Sequence, residues 1–376
     1  MNRRFVNLVT RNWTQGVYSV RRMDPYHHFF YGSTEAALGA ADEACKMKES
    51  FPAMQIQDLP SPSTNFTAAA PGGTLDMFAL LTPRPTSDGR MIYANTIGET
   101  RLYDADKQVH TTLGRLNTPK GVKPMCLSIA HPGGDEDSIY VLDTEPLKDA
   151  RRCFEVLEPT PREFRSSSLM PPWCWRVLPP PPFVLEPWYQ PSSITSFTTV
   201  VNGDGCSTIY ISCGGRIGTY SFEMACSDSR HCLGWRLSDK WSHVGEWKLP
   251  FNGRAQYVPE FNLWFGFSDS SPNHLCAMDL SAMDNGRQPT APKIWEDLNL
   301  PDGEAWLPKQ LELLYLGDRK FLTAKTFAEG EIGGCFSVLT GVEMIAGAGD
   351  DQHTLQMVKH KCARFVFTDE DIEWVL

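Results

Sequence analysis

The chain has 376 residues, of which 41% are hydrophobic, so it is long enough to bury a large core. Its formal net charge of −10 and pI near 5.4 argue against a nucleic-acid partner, which requires clustered positive charge. It has no stretch of about 20 apolar residues, so we expect no membrane partner either.

The first part of the chain predicts two strands, at Phe5–Thr10 and Gly16–Met23. An Ala-rich segment, Ala36–Met47, then predicts the only helix in the sequence. The prolines and serines that follow the helix indicate an irregular loop. We interpret residues 33–73 as a helix-and-loop insertion within one domain that spans residues 1–376.

The segment Ile194–Pro250 contains the clearest copy of a recurring unit. Two apolar runs flank the turn Asn202–Gly205, which predicts a β-hairpin, and two further strands follow. The four predicted strands are Ile194–Val201, Thr208–Ser212, Gly218–Met224 and Trp241–Pro250. This unit is typical of a small antiparallel sheet.

The same pattern recurs along the chain. The second strands follow polar turns and often contain an Ile-Tyr pair; they are Met91–Thr96, Ser138–Thr144, Thr208–Ser212, Leu263–Phe267 and Lys320–Ala324. Third strands are predicted at Thr100–Asp104, Cys153–Leu157, Gly218–Met224, His274–Leu280 and Cys335–Met344. Fourth strands carry Trp and end in Pro, at Trp173–Pro179, Trp241–Pro250 and Ile294–Pro301. The average spacing is a little longer than the period of about 50 residues in kelch propellers.

A four-stranded sheet with two apolar faces cannot bury both faces alone, so such sheets stack around an axis until a ring closes. The sequence therefore predicts an all-β fold, a kelch-like β-propeller, with five internal blades. Strands at both chain ends suggest a sixth blade, shared between Phe5–Met23 and either Ala363–Thr368 or Ile372–Leu376. Five or seven blades are the alternatives.

Several motifs resemble one family of plant proteins. They are Arg3–Val9, Tyr18–Arg22, Leu178–Val184, Val244–Gly253, Tyr257–Gly266 and Val338–Glu343. Together they are similar to a large, grass-expanded plant family that carries a domain of unknown function, with members described as kelch-like or F-box-associated propellers. The resemblance implies the fold and a plant origin, and it supplies no catalytic residues.

Two local motifs have both a structural and a functional interpretation. Gly214 and Gly215, followed by Tyr220 and by Trp235 or Trp241, match the order of a kelch repeat, in which the aromatic residues pack between blades. The run Pro179–Pro182 favours polyproline II geometry, which is typical of a ligand for an aromatic groove. A stiff connection between blades is the alternative that we favour for these prolines.

The 11 cysteines are scattered, and no secretory signal precedes them, so we expect reduced core thiols in the cytoplasm or the nucleus. Cys226, His231 and Cys232 lie close together but lack the paired spacing of a zinc site. His27 and His28 belong to an aromatic segment. We therefore predict no metal and no cofactor.

Three acidic runs are the candidates for acid–base catalysis, at Asp135–Asp137, Asp350–Asp351 and Asp369–Asp371. All three lie in glycine-rich or terminal turns, where solvated charge is the usual interpretation. The sequence contains no nucleophile elbow, phosphate-binding loop or dinucleotide fingerprint. These observations favour a non-catalytic protein, without excluding an enzyme.

The predicted function is that of a protein-interaction module that uses loops on one rim of the propeller. We expect this surface to be built from the longer loops around Ala225–Lys240, Thr160–Pro172 and Ser281–Pro292. Arg230, His231 and Trp235 are the candidate contact residues, because exposed Trp and Arg often anchor interfaces.

Two other functions compete with this interpretation. The F-box-associated resemblance implies a substrate adaptor that works with a ubiquitin ligase, although strands already begin at Phe5, where an F-box would need helices. A propeller enzyme, such as a glycosidase or an oxidase, would have acidic or histidine side chains at a central channel.

Overall fold

The structure is a computed structural model. It describes residues 3–47, 54, 56–68, 76–82, 89–130, 137–160, 172–202, 205–224, 239–285, 287–298, 306, 308–328, 334–346 and 355–376. Within these residues the chain forms two compact units, the first made of residues 1–67, 250–279 and 291–376, and the second of residues 68–249 and 280–290.

The first unit contains two helices and twelve strands among its described residues. Strands β1 (Val6–Asn12) and β2 (Val17–Met23) precede helices α1 (Pro25–Phe29) and α2 (Thr34–Met47) and strand β3 (Thr64–Thr67). The later strands of this unit are β16 (Phe251–Val258), β17 (Leu263–Ser268), β18 (Leu275–Met278), β19 (Lys293–Trp295), β20 (Pro308–Gly317), β21 (Lys320–Ala328), β22 (Cys335–Ala346), β23 (Leu355–Val366) and β24 (Glu370–Val375).

The second unit is built from the strands between these segments. They are β4 (Met77–Leu80), β5 (Arg90–Ala94), β6 (Thr100–Asp104), β7 (Val109–Thr112), β8 (Met125–Ala130), β9 (Asp137–Leu142), β10 (Phe154–Pro159), β11 (Trp173–Val177), β12 (Ile194–Val201), β13 (Ser207–Cys213), β14 (Gly218–Glu223) and β15 (Lys240–Gly245). The described part also has two short 3₁₀ turns, at Pro182–Leu185 and Ser281–Asn285.

The strands pair as four-stranded antiparallel blades. In the second unit the strand orders are β4-β5-β6-β7, β8-β9-β10-β11 and β12-β13-β14-β15, and in the first unit they include β16-β17-β18-β19 and β20-β21-β22-β23. The strands predicted from the repeated pattern occupy these positions. The predicted all-β fold of propeller blades is therefore confirmed, while the number of blades stays a prediction.

The two chain ends complete one sheet, in the order β24-β1-β2-β3. Leu8 pairs with Val375, and Thr10 pairs with Ile372. Of the two C-terminal alternatives, Ile372–Leu376 is thus the correct one. The other segment belongs largely to β23, because it continues the long pairing with β22.

Two details of the N-terminal region correct the sequence-based prediction. Besides α2, the structure has α1, which begins where Asp24 accepts hydrogen bonds from the N–H groups of Tyr26 and His27 and where Pro25 occupies the first turn. Strand β3 lies within the segment predicted to be irregular. Its one buried side chain, Phe66, gives too short a pattern to predict a strand.

The apolar core of each unit lies between neighbouring blades. In the second unit the Phe154 ring lies 4.9 Å from the Phe222 ring and 5.5 Å from the Trp241 ring, measured between centroids. In the first unit, Leu8 and Val375 of the sheet that joins the termini pack in one cluster with Leu322 and Leu339. Because β9 and its equivalents are apolar on both faces, each blade needs a neighbour on each side.

Candidate functional site

The residues that the sequence singled out for binding are not placed by the structure. Arg230, His231 and Trp235 lie within residues 225–238, outside the described part of the chain. Most of the loop Thr160–Pro172 also lies outside it. The candidate site lies in a different part of the second unit.

Three segments meet at one end of the blade β8–β11. In an antiparallel sheet of this order, three parts of the chain lie at the same end of the strands. They are the entry into β8, the connection from β9 to β10 and the exit from β11. These segments are residues 113–124, 143–153 and 178–193. They therefore share one surface, which sequence order alone does not show.

Large apolar side chains are exposed on this surface. Leu147 is 68% exposed, Trp188 is 55% exposed and Leu185 is 39% exposed. Val122, on the entering segment, is exposed as well. We call residues 143–153 and 178–193, with these exposed side chains, the Trp188 platform.

Hydrogen bonds join the two segments of the Trp188 platform. The Asp149 N–H donates to the Val184 carbonyl at 3.1 Å, and the Lys148 ammonium donates to the Pro187 carbonyl at 2.6 Å. The Tyr189 hydroxyl donates to the Pro146 carbonyl at 2.7 Å. Burial raises the pKa of Tyr189 to about 12, so this hydroxyl stays protonated and keeps donating.

Buried aromatic residues support the platform from below. Phe183 and Tyr189 are buried with ring centroids 5.4 Å apart, and Phe183 also lies 5.1 Å from Tyr220. These rings belong to the apolar cluster that joins blades β8–β11 and β12–β15. The exposed side chains therefore stand on a rigid base, which lowers the entropy cost of binding.

The proline run and the kelch-like aromatic residues have structural positions. Pro179–Pro182 connect β11 to β12, Pro181 is buried, and the Pro179 carbonyl accepts a hydrogen bond from the Trp241 indole at 2.8 Å. Tyr220 and Trp241 both pack inside the second unit. These contacts match the connector and packing interpretations of the two motifs.

A cluster of titratable groups lies next to the platform, and its hydrogen bonds are internal. Glu155 accepts bonds from the backbone N–H groups of Asn117 and Thr118 and from the ammonium of Lys120. The same ammonium also donates to the carbonyls of Thr118 and Arg152, so its three protons are all used. This buried pair fixes residues 117–120 to β10.

The neighbouring thiol is not a nucleophile at neutral pH. Burial raises the pKa of Cys153 to about 12, and the nearby Asp143 carboxylate adds to this effect. Burial also raises the pKa of Asp143, which accepts a hydrogen bond from the Gly121 N–H. The thiol therefore stays protonated, as structural buried cysteines do.

The residues of the acidic runs also have structural contacts where they are described. Asp137 is buried 3.9 Å from Arg90, Glu370 pairs with Arg21 at 3.2 Å, and Asp371 accepts a hydrogen bond from the Trp13 indole at 2.9 Å. Asp350 and Asp351 lie outside the described residues. Within the described ranges no three or more His, Cys, Asp or Glu side chains are grouped so as to hold a metal ion.

One cysteine contradicts the prediction that all thiols are reduced. Cys206, next to the turn between β12 and β13, is disulfide-bonded. Seven described cysteines are free. The sequence did not reveal the bond because the pairing of cysteines depends on spatial proximity, which leaves no regular spacing.

No helix in the described part of the chain is long and apolar enough to cross a membrane. No curated protein matches the sequence.

Several solved structures are similar at low identity. The β-propeller domain of Swd1 from Myceliophteria thermophila is 9% identical with a TM-score of 0.38, covering 93% of this chain and 95% of that one. An auxiliary nutrient binding protein from Bacteroides thetaiotaomicron is 11% identical with a TM-score of 0.37, over 76% of this chain and only 57% of that protein. An α-L-arabinofuranosidase from Clostridium thermocellum is 9% identical with a TM-score of 0.33, over 79% of this chain and 92% of that one.

A family model matches residues 3–365, which is almost the whole sequence. The chain therefore belongs to the family described as protein of unknown function, DUF1668.

Proposed function

We propose that this chain is a non-catalytic protein-interaction module that binds a partner protein through loops at one end of its blades. The Trp188 platform is the observation that carries this proposal. Solvent-exposed Leu147, Leu185 and Trp188 are held over a buried aromatic base. A rigid, exposed tryptophan with aliphatic neighbours is typical of the centre of a protein interface.

The surroundings of the platform also fit a protein partner. Exposed charges of both signs border the three apolar side chains, and they are Glu145, Lys148, Asp149, Arg151, Arg152 and Glu186. An apolar centre with a polar, mixed-charge rim is the usual composition of a protein interface. The proposal includes a kelch-like propeller of plant origin, as the sequence resemblance implies, with six blades and a location in the cytoplasm or the nucleus, as the sequence analysis predicts.

The first test compares two platform variants with a matched control. Trp188→Ala and Leu147→Ser each remove one exposed apolar contact, whereas Val201→Ser removes a side chain that is 63% exposed at the far end of β12. All three positions are exposed, so each variant should keep its free energy of unfolding within about 0.5 kcal/mol of the wild type.

Affinity capture from source tissue, followed by mass spectrometry, provides the readout. A specific partner is one that the wild type and Val201→Ser both retain and that the platform variants lose. With purified partner, Trp188→Ala should weaken binding by about 2 kcal/mol, or roughly 30-fold. Equal binding by all four proteins would contradict the proposal.

The same experiment distinguishes the two rival functions. Recovery of a ubiquitin-ligase core, lost with the platform variants, would assign the adaptor role. An empty set of partners together with measurable turnover of sugar substrates would replace the proposal with an enzyme.

A further inference from the structure

Arg11 is a buried cation at the end of β1 in the first unit. Its side chain is only 2% exposed. The guanidinium carbon lies 3.9 Å from the centre of the Trp13 ring and 5.4 Å from the centre of the Tyr18 ring. The aromatic contacts hold the guanidinium group in one orientation.

One edge of this guanidinium group has no hydrogen-bond partner among the residues that the structure describes. Its Nε and Nη2 atoms are buried and make no hydrogen bond to the described part of the chain. These two N–H groups point in parallel, at the spacing of the two oxygens of a carboxylate. Buried donors without acceptors are strongly unfavourable, so this edge is well suited to an acceptor with two oxygens.

The nearby acidic side chains contact other residues. Asp371 lies opposite Arg11 in the register of β1 and β24, and it accepts a hydrogen bond from the Trp13 indole at 2.9 Å. Glu370 pairs with Arg21, whose Nη2 atom lies 3.2 Å from the carboxylate. Arg21 therefore has the partner that Arg11 lacks.

A second polar group on the same strand is also unpaired. Asn7 precedes Arg11 by four residues, which places both on one face of β1. It is fully buried, and both atoms of its amide lack a hydrogen-bond partner among the described residues. This face of the strand thus has a two-donor guanidinium edge and an amide that make no hydrogen bond to the described residues.

We propose that the Nε/Nη2 edge of Arg11 binds a carboxylate-bearing ligand beside Trp13. A carboxylate is planar and can lie in the plane of the guanidinium group, against the same indole ring. A tetrahedral phosphate can accept the same two hydrogen bonds, but it places its remaining oxygens out of that plane. Trp13 is 43% exposed and lies beyond the end of β1, so the ligand approaches past this side chain.

The carboxylate has two sources, a free organic acid or the C-terminal carboxylate of a peptide. The probes are sodium succinate, a short peptide with a free C-terminus, the same peptide with an amidated C-terminus, and inorganic phosphate. Sodium chloride at equal ionic strength is the reference, because it reproduces general screening. The full-length chain is used throughout.

The variants distinguish the effect of the two-donor edge of Arg11 from the effect of its positive charge. Arg11→Lys keeps the positive charge and loses the two-donor edge, and Arg11→Met removes both. Arg21→Met is the matched control, since that arginine already has a carboxylate partner. Calorimetric titration and the shift of the thermal unfolding midpoint are measured for each protein.

We expect succinate or the free-acid peptide to raise the unfolding midpoint of the wild type and of Arg21→Met above the chloride reference. Arg11→Lys should bind the same probe about tenfold more weakly, and Arg11→Met should not respond. A response to succinate alone identifies a free acid, and a response to the free but not the amidated peptide identifies a peptide terminus. The proposal is overturned if neither carboxylate exceeds chloride, if Arg11→Lys responds like the wild type, or if phosphate binds equally well.

Discussion

Gly341 of β22 lies directly against the backbone carbonyl of Phe29 in α1, so closely that an added Cβ would overlap the carbonyl oxygen. The Tyr26 hydroxyl donates to the Leu316 carbonyl at 3.1 Å, and the Thr34 hydroxyl donates to Glu343 at 3.0 Å. The two helices are thereby fixed to the sheet β20–β23. The absence of a side chain at position 341 permits the closest of these contacts.

Gly341→Ala should therefore displace α1 from the sheet. We expect a loss of about 1–3 kcal/mol in the free energy of unfolding, as for overpacked sites, together with faster amide exchange in α1. Gly39→Ala is the control, because Gly39 is an exposed residue of α2 with open space around an added Cβ. That change should stabilise the helix by about 0.5–1 kcal/mol. Equal stability of Gly341→Ala and the wild type would refute the close approach.

His360 links the N-terminal helical segment to the sheet in a way that depends on pH. Its Nδ1 atom accepts a hydrogen bond from the Tyr31 N–H at 3.3 Å, so the ring proton sits on Nε2, which lies 3.1 Å from Glu343. Burial lowers the pKa of His360, Glu343 opposes this shift, and Lys320 and Lys361 reinforce it. The folded state therefore favours the neutral ring.

A folded-state pKa below the ordinary value of 6.5 means that the unfolded chain takes up the proton first. The stability that the neutral ring contributes is fully present above pH 6.5. It is lost as the pH falls from 6.5 toward the folded-state pKa. After correction for the intrinsic exchange rates, which themselves fall with pH, the protection of the amides of α1 and α2 should decrease as the pH falls from about 7.5 to about 5.5. His360→Gln should show a smaller change than the wild type over this range, and identical pH profiles would exclude His360 as the cause.

Lys325 and Asp297 form a buried ion pair between two neighbouring sheets of the first unit. The Lys325 ammonium lies 2.9 Å from one carboxylate oxygen of Asp297 and also donates to the Asn273 carbonyl at 2.9 Å. Burial by itself raises the pKa of Asp297, but the nearby His274 ring and the charge and hydrogen bond of Lys325 lower it below the usual range. Asp297 therefore stays ionised and paired at neutral pH.

Removing one member of this pair leaves an uncompensated buried charge. We expect Lys325→Met and Asp297→Leu each to lower the free energy of unfolding by about 3–5 kcal/mol, and the double variant to recover most of that loss. Urea unfolding of the four proteins gives the coupling energy. Additive losses in the double variant would show that the pair does not act as a unit.

The cysteines should differ in their reactivity. Burial raises the pKa values of Cys153, Cys213 and Cys276 to about 12 each, so these thiols should resist alkylation until the protein unfolds. Cys206 should be labelled only after reduction. Cys335, a half-buried free thiol near Lys309, provides the control and should react first in the native protein. Peptide mass spectrometry after timed alkylation measures the order, and labelling of Cys206 without reductant would exclude the disulfide.

The repeated strands were predictable because local sequence patterns indicate where they begin and end. Alternating apolar runs, polar turns and the recurring Ile-Tyr pairs depend on neighbouring residues, and they located the second and third strands of five blades. A sheet shared by the two chain ends followed from counting strands, yet the sequence left Ala363–Thr368 and Ile372–Leu376 as equal alternatives. The pairing of Ile372 with Thr10 decides between them. Only the long pairing of β22 with β23 assigns that segment to a different sheet.

The candidate site was not predictable in this way. Leu147 and Trp188 lie about 40 residues apart, and each resembles an ordinary core residue in the sequence. Their exposure results from hydrogen bonds and aromatic contacts between two loops, which hold these side chains outward. Likewise, Arg11 is one of many arginines in the sequence. Only the tertiary structure shows that Glu370 pairs with Arg21 and that one edge of Arg11 has no hydrogen-bond partner in the described part of the chain.

The sequence by itself therefore determined most of the strands and the blade as the repeating unit, because hydrogen-bonded hairpins depend on residues close together in the chain. The tertiary structure alone decided which loops share a surface, which apolar side chains face solvent and which charges have partners. These properties depend on contacts between residues far apart in sequence, and no local pattern records them.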